Sequence, residues 1–215
     1  PSDGKSTVSL NVAQAAAAMG QRVLLVDADL RRPRISRALQ LPNLRGLTNL
    51  LASHLEPWQV IQRLSETHPE MIGTGGNLSV LTAGQIPPDP TKLLASQKMQ
   101  NLVEHLQSIF DLVIYDSPPL IGLADTNLLA RHMDGVVLVV GLGRTDRNAL
   151  TEALDSLKVS RIQVLGMVAN GVKHHTAATH SYYYHAYTRD QSPPDHLKNG
   201  NGNRQGVYPT GRDEN

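Results

Sequence analysis

Lys5, Ser6, Asp27, Asp29 and Asp116 are the side chains whose types and settings suit joint chemistry. An ammonium group neutralises phosphate oxygens, a hydroxyl offers a ligand to Mg2+, and carboxylates hold a metal's water shell or accept a proton. Asp3-Gly4-Lys5-Ser6-Thr7 is the second half of a phosphate-binding loop of the pattern G-x-x-x-x-G-K-[ST]. In such a loop the backbone N–H groups cradle phosphate oxygens where a strand gives way to a helix. Gly4 lets the backbone come close, Lys5 is placed for the β- and γ-phosphates, and Ser6 for Mg2+. Gly-Lys-Ser by itself also suits an ordinary surface turn before a helix, so the later segments decide.

Those segments read as the elements that position the acids. A run of small helix formers, Asn11 to Met19, supplies a narrow helix after the loop. Val23-Leu24-Leu25-Val26 has the length and composition of a strand buried on both faces, and it ends in Asp27-Ala28-Asp29. Acids at the carboxyl end of a parallel strand stand where open α/β sheets place their ligands. At period two, Asp27 and Asp29 point the same way. The plainer reading is that they cap the next helix, near Pro33. Asp111 to Pro119 repeats the pattern: Val113-Ile114-Tyr115 is strand-like and ends in Asp116-Ser117-Pro118-Pro119, the form of a Walker B element.

Between these, residues 34–52 are expected to be mostly helical with breaks at Pro42 and Gly46. A short helix is expected over 57–64, a turn over 73–77, a strand over 78–83 and an irregular loop over 84–90. One helix is expected from Thr91 to about Ser108, where Leu93, Leu94, Leu102, Val103 and Leu106 recur at helical spacing. Further helices are expected over 122–131 and 146–158, and strands over 135–141 and 162–169. The alternation predicts an α/β domain over residues 1–172, a P-loop NTPase-type, doubly wound and mostly parallel sheet. Lys5, Ser6, Asp27, Asp29 and Asp116 would then converge on one Mg2+–triphosphate.

Composition narrows the rest. The formal charge of +1 gives no global field for nucleic acid, and no nucleic-acid partner is expected. With no cysteine, disulfides and Cys-based metal or redox sites are excluded. The longest apolar run, around Val136–Val140, is too short to span a bilayer. Residues 173–215 change character. Beyond residue 192 they are rich in Pro, Gly, Asn and charge, so a disordered tail is expected. Five of the six tyrosines lie there, with Tyr182, Tyr183, Tyr184 and Tyr187 grouped. A packing patch or a short edge strand is the plain reading of that group. Phosphorylation is the functional one, each event adding about −1.5 to −2 charges near neutral pH. The histidines at 174, 175, 180 and 185 fit no standard metal spacing.

With these segments in place the chain resembles the bacterial tyrosine kinases, the cytoplasmic kinases of capsule and exopolysaccharide chain-length regulators. The resemblance rests on residues 3–7, on Leu24 to Pro33 with its D-x-D-x-R-x-P pattern, on Ala83 to Pro90, on Val113 to Pro119, and on the tyrosine cluster. It implies that Asp3, Gly4, Lys5, Ser6 and Thr7 bind ATP and that Ser6, Asp29 and Asp116 hold Mg2+. It further implies that Asp27 orients or deprotonates a tyrosine hydroxyl and that Asn170 reads adenine. Tyr182, Tyr183, Tyr184 and Tyr187 would be phosphoacceptors. It also implies a homo-oligomeric ring, a membrane chain-length regulator on the same or a separate chain, an opposing protein tyrosine phosphatase, and work at the inner face of the bacterial plasma membrane. The family's first strand, the first half of its loop and an upstream ring-contact helix lie outside this sequence.

Two other functions fit parts of the same pattern. A positioning ATPase of the ParA/MinD kind would hydrolyse ATP without modifying tyrosine. A non-catalytic regulatory subunit of a polysaccharide export complex would act through its assembly state alone.

Overall fold

A strand that is apolar at every position needs cover on both faces, because successive side chains point to opposite sides. The computed structural model, which describes residues 3–67 and 76–172, meets that need with helices on both faces of the sheet. In chain order the elements are α1 (Lys5–Ala18), β1 (Val23–Asp27), α2 (Ile35–Ala38), α3 (Leu47–Ala52), a 3-10 turn (Pro57–Gln59), β2 (Gln62–Arg63), α4 (Leu64–Thr67) and β3 (Leu78–Leu81). Then follow α5 (Pro90–Leu94), α6 (Gln97–Ile109), β4 (Leu112–Asp116), α7 (Asp125–Ala130), β5 (Val136–Gly141), α8 (Arg147–Val159) and β6 (Val164–Asn170).

β1 is the axis. Every residue of it is buried. It pairs in parallel with β3, from Val23↔Leu78 to Val26↔Leu81, and with β4, from Val23↔Leu112 to Asp27↔Asp116. Val23 and Leu25 pack with Ala13, Ala16 and Ala17 of α1. Leu24 and Val26 share a core with Leu47 and Leu50 of α3 and with Met99, Val103 and Leu106 of α6. Each buried aliphatic side chain contributes about 1.5–3 kcal/mol relative to exposure. Alanines on the inner face of α1 bring its axis close to the sheet, and so bring its first turn close to the ends of β1 and β4.

The expected doubly wound, mostly parallel α/β architecture is present, laid out as a four-stranded piece in the order β2-β3-β1-β4 and a parallel β5-β6 pair. Among the described residues, β4 pairs only with β1, and β5 only with β6. A cavity of about 590 Å³ is lined by Val113 and Tyr115 of β4, Val8 and Val12 of α1, and Val137 and Val139 of β5.

Three elements differ from expectation. The single helix over 91–108 is two helices, because Asp89 caps α5 by accepting from Lys92 N at 3.0 Å and Ser96 caps a fresh start by accepting from Met99 N at 3.2 Å. The helix over 57–64 shrinks to the 3-10 turn, and Gln62 and Arg63 instead pair antiparallel with Val80 and Ser79. That pairing covers the outer edge of β3, which would otherwise present a row of free N–H and C=O groups. The helix over 122–131 starts only at Asp125, because Gly122 sits at φ +81, outside helical space. The turn expected over 73–77 falls largely outside the described residues, as does the whole tyrosine-bearing tail.

Candidate active site

The first turn of α1 holds the loop residues. Gly4 caps it at φ 87, a left-handed conformation open to glycine and strained for other residues. A Cβ there would also run into the side-chain amide of Asn170. Lys5, Ser6 and Thr7 follow inside the helix, where the first N–H groups have no intrahelical acceptor and the helix end carries positive partial charge. These residues line a cavity of about 470 Å³, whose wall also includes Asp29, Arg31, Arg32, Arg34, Pro118 and Pro119.

The ends of β1 and β4 bring two acids alongside. Asp27 and Asp116 are register partners on adjacent strands, and Ala28 N donates to Asp116 O at 2.8 Å. The Asp116 side chain accepts from the Ser6 hydroxyl and, at 3.4 Å, from Ser9 Oγ. Burial pushes the Asp116 carboxyl above the usual range, and the hydrogen bond from Ser6 and the Lys5 ammonium pull the other way. A hydroxyl from α1 therefore bonds a carboxylate from β4, and the Lys5 ammonium is near enough to act on its charge.

Asp27 is fully buried. Its Oδ2 accepts from Arg34 N and Ile35 N, each at 3.0 Å, so it caps α2 as the plain sequence reading held. Its Oδ1 has no hydrogen-bond partner. Burial raises its pKa from 3.8 to about 7; the Ile35 and Arg34 amides oppose the rise, and the Asp116 and Asp29 charges add to it. Asp29 lies on the cavity wall and accepts from Arg32 N at 2.9 Å, which closes the loop after β1. Of the two acids, Asp29 faces the cavity and Asp27 stands behind it against Asp116.

Asp3 and Asn170 meet from the other side. Asn170 Nδ2 donates to Asp3 O at 2.8 Å, and Thr145 Oγ1 donates to Asp3 Oδ1 at 3.3 Å. The Asn170 amide nitrogen thus holds the start of the loop against the end of β6. Tyr182, Tyr183, Tyr184 and Tyr187 lie outside the described residues.

These donors suit a magnesium-bound polyphosphate. Among the described residues no three His, Asp or Glu side chains are grouped to hold a metal unaided. One hydroxyl, two carboxylates and a phosphate cradle are the kind of set that Mg2+ uses, since it keeps several waters and shares its ligands with substrate phosphates. Asp27 Oδ1, buried and unpartnered, is an acceptor with nothing yet to accept. The sequence reading missed Arg31, Arg32 and Arg34 as lining residues. The signal was present in D-x-D-x-R-x-P, where three guanidinium groups follow the acids.

A family model described as an AAA domain, AAA_31, matches residues 3–159. The chain is 37% identical over 190 residues to tyrosine-protein kinase YwqD of Bacillus subtilis, covering 88% of this chain and 75% of that protein. It is 32% identical over 182 residues to tyrosine-protein kinase etk of Escherichia coli, covering 85% of this chain and 24% of that longer protein. The solved kinase domain of Escherichia coli tyrosine kinase ETK superposes with a TM-score of 0.74 at 31% identity, over 82% of this chain and 66% of that one. Cobyrinic acid a,c-diamide synthase from Mycobacterium smegmatis, solved with an ATP analog and magnesium, shares the fold at a TM-score of 0.63 and 19% identity, over 89% of this chain and 79% of that one.

Proposed function

The chain belongs to the bacterial tyrosine kinase family, and from that membership we propose that it is an Mg2+-ATP-dependent protein tyrosine kinase that phosphorylates its own Tyr182, Tyr183, Tyr184 and Tyr187 in trans. The observation behind this reading is the bond from Ser6 to Asp116 at the start of α1, with Lys5 near enough to act on that carboxylate and Asp29 on the same cavity wall. Lys5 and the amides of residues 4–7 bind the ATP phosphates. Ser6, Asp29 and Asp116 hold Mg2+, which neutralises charge on the β- and γ-phosphates when bound. The phenol oxygen of an incoming tyrosine bonds to the γ-phosphorus as the bond to the β,γ-bridging oxygen breaks and ADP leaves. The phenolic proton passes to Asp27 Oδ1, the unpartnered oxygen behind Asp29, through one water that reaches past the cavity wall; the Asp27 pKa of about 7 suits an acceptor at neutral pH. Positioning and charge neutralisation supply most of the acceleration in such a transfer.

The wider setting belongs to the same proposal. The kinase works in a homo-oligomeric ring at the inner face of the bacterial plasma membrane, with a membrane chain-length regulator as partner and a tyrosine phosphatase as opposing enzyme. Its cycling controls capsular or exopolysaccharide polymerisation and export. Asn170 is the candidate for reading adenine through its Oδ1, since its Nδ2 is engaged with Asp3.

Incubation of the full-length protein with Mg2+ and ATP, followed by phosphotyrosine mass spectrometry, is expected to find phosphate within Tyr182–Tyr187. Lys5→Ala should lower that labelling at least ~100-fold. ATP hydrolysis with every tyrosine unmodified would point to a positioning ATPase, and unchanged labelling in Lys5→Ala would remove Lys5 from the chemistry.

A further inference from the structure

The loop after β1, which carries Asp29, is closed on itself: Arg34 N and Ile35 N bond Asp27, and Arg32 N bonds Asp29. Such a loop keeps its own shape, and its first residue is tied to β4, where Ala28 N donates to Asp116 O at 2.8 Å. Beyond Asp29 the tie is made by Arg31. Its Nε donates to Asp125 Oδ2 at 2.6 Å and one Nη to Asp125 Oδ1 at 3.2 Å. The same Nη donates to Thr91 Oγ1 at 2.9 Å, and Thr91 Oγ1 donates to Asp125 Oδ1 at 2.6 Å, so the three side chains form a closed triangle. Asp125 is 1% exposed and opens α7. Its neighbour Thr126 donates to Pro118 O at 2.8 Å, in the segment that follows Asp116.

A continuous path of bonds therefore runs from the loop of Asp29, through Arg31, Asp125 and Thr126, to the loop of Asp116. Thr91 adds the start of α5 to the same node. We propose that the Arg31–Asp125–Thr91 triangle is a positioning device that sets the distance between the Asp29 and Asp116 loops, and so the site's affinity for Mg2+. The proposal rests on the reading of the cavity as an Mg2+–nucleotide site. Arg31 also lines that cavity, so the device sits at the edge of the chemistry and not in a remote core.

The geometry separates this role from bulk stabilisation. A bidentate guanidinium–carboxylate pair fixes direction as well as distance, which a lysine cannot reproduce. Groups that orient metal-holding residues characteristically govern metal affinity when altered, by about 10–100-fold. The phosphate cradle of residues 4–7 belongs to α1, an element separate from those that carry the triangle, so nucleotide binding without metal should survive its loss.

The test uses the full-length protein and a fluorescent ADP analogue, with affinity measured in EDTA and across an Mg2+ titration, and with thermal melting recorded. Asp125→Asn and Thr91→Val should leave the EDTA affinity within about twofold of wild type. The Mg2+ concentration for half-maximal enhancement should rise about tenfold or more. If Asp125→Asn does not fold, Thr91→Val, which keeps the ion pair and removes the hydroxyl, is expected to shift the Mg2+ midpoint in the same direction. An unchanged Mg2+ midpoint in folded variants overturns the proposal. So does an equal loss of affinity with and without Mg2+, the mark of a merely structural role. Absence of tyrosine labelling in the wild type would instead overturn the kinase reading, and it leaves this binding test readable.

Discussion

Asp27 serves two ends with one carboxylate. Oδ2 caps α2 through two backbone amides, and Oδ1 is left buried and unpartnered. Burial, above all, lifts its pKa to about 7, above an unfolded value near 3.8. Between those values the folded chain binds more protons than the unfolded one, so this group lowers stability as pH rises from about 4 to 7. Asp27→Asn keeps an oxygen for both amides and removes the charge. We expect calorimetry to show the variant melting above wild type at pH 8, with the gap closing towards pH 4, while phosphotyrosine labelling falls at least ~100-fold. A variant that melts at or below wild type at pH 8 would contradict this account of the buried charge. At this scale the sequence was most informative where residues lie in a short motif: Lys5, Ser6, Asp29 and Asp116 are each marked by their neighbours. Arg31 and Asp125 are 94 positions apart, and no local pattern announces that they pair.

At the scale of elements, the end of β3 and the start of α3 are fixed together by backbone fit as much as by apolar burial. Leu47 N and Thr48 N donate to Thr82 O and Ala83 O at 2.8 and 2.9 Å, and Asn43 exchanges two hydrogen bonds with Gly84. These bonds seat the loop over 84–90 at the end of β3. Gly46 lies between them, where a Cβ would meet backbone atoms of Thr82, Ala83 and Gly84 that cannot rotate away. Gly46→Ala is expected to cost about 1–3 kcal/mol in chemical denaturation. Leu25→Ala, in the centre of β1, is expected to cost about 2–5 kcal/mol in the same measurement. A loss below 0.5 kcal/mol at either position would mean that the contacts described here relax freely. The strands were readable because runs such as Val23–Val26 and Val136–Val140 have few other uses. The break at Ala95–Ser96 was not, because the apolar spacing continues across it and the cap that restarts the helix is a single serine. Nor was β2, whose strand form comes from the edge of β3 and not from its own residues.

For the whole molecule, the division of the sheet matters most. β4 and β5 each have one unpaired edge among the described residues, and the cavity between them is lined mainly by apolar side chains. Val137, Leu165 and Met167 are each more than half exposed, although they belong to strands of otherwise apolar character. Asp3 lies at the carboxyl ends of β5 and β6, beside Gly141 and Asn170. A strand that leads into Asp3 would therefore run parallel to β4 and β5 and could satisfy both free edges. In the full-length protein, amide hydrogen exchange in β4 and β5 is expected to be as slow as in β1, the mark of a strand seated between them. Fast exchange in both strands would show that the cavity does not accept a strand.

At the start of α1, Ser6 bonds Asp116, with Lys5 and Asp29 close enough to act on its charge. The most direct test of that arrangement as a nucleotide site is a crystal structure of the full-length protein with Mg2+ and a non-hydrolysable ATP analogue. The expected result places the phosphates on the amides of residues 4–7 and on Lys5 Nζ, with Mg2+ bonded to Ser6 Oγ and the Asp29 and Asp116 carboxylates in its ligand or water shell. A nucleotide bound away from Gly4–Thr7, or a metal out of reach of Ser6 and Asp116, would contradict it.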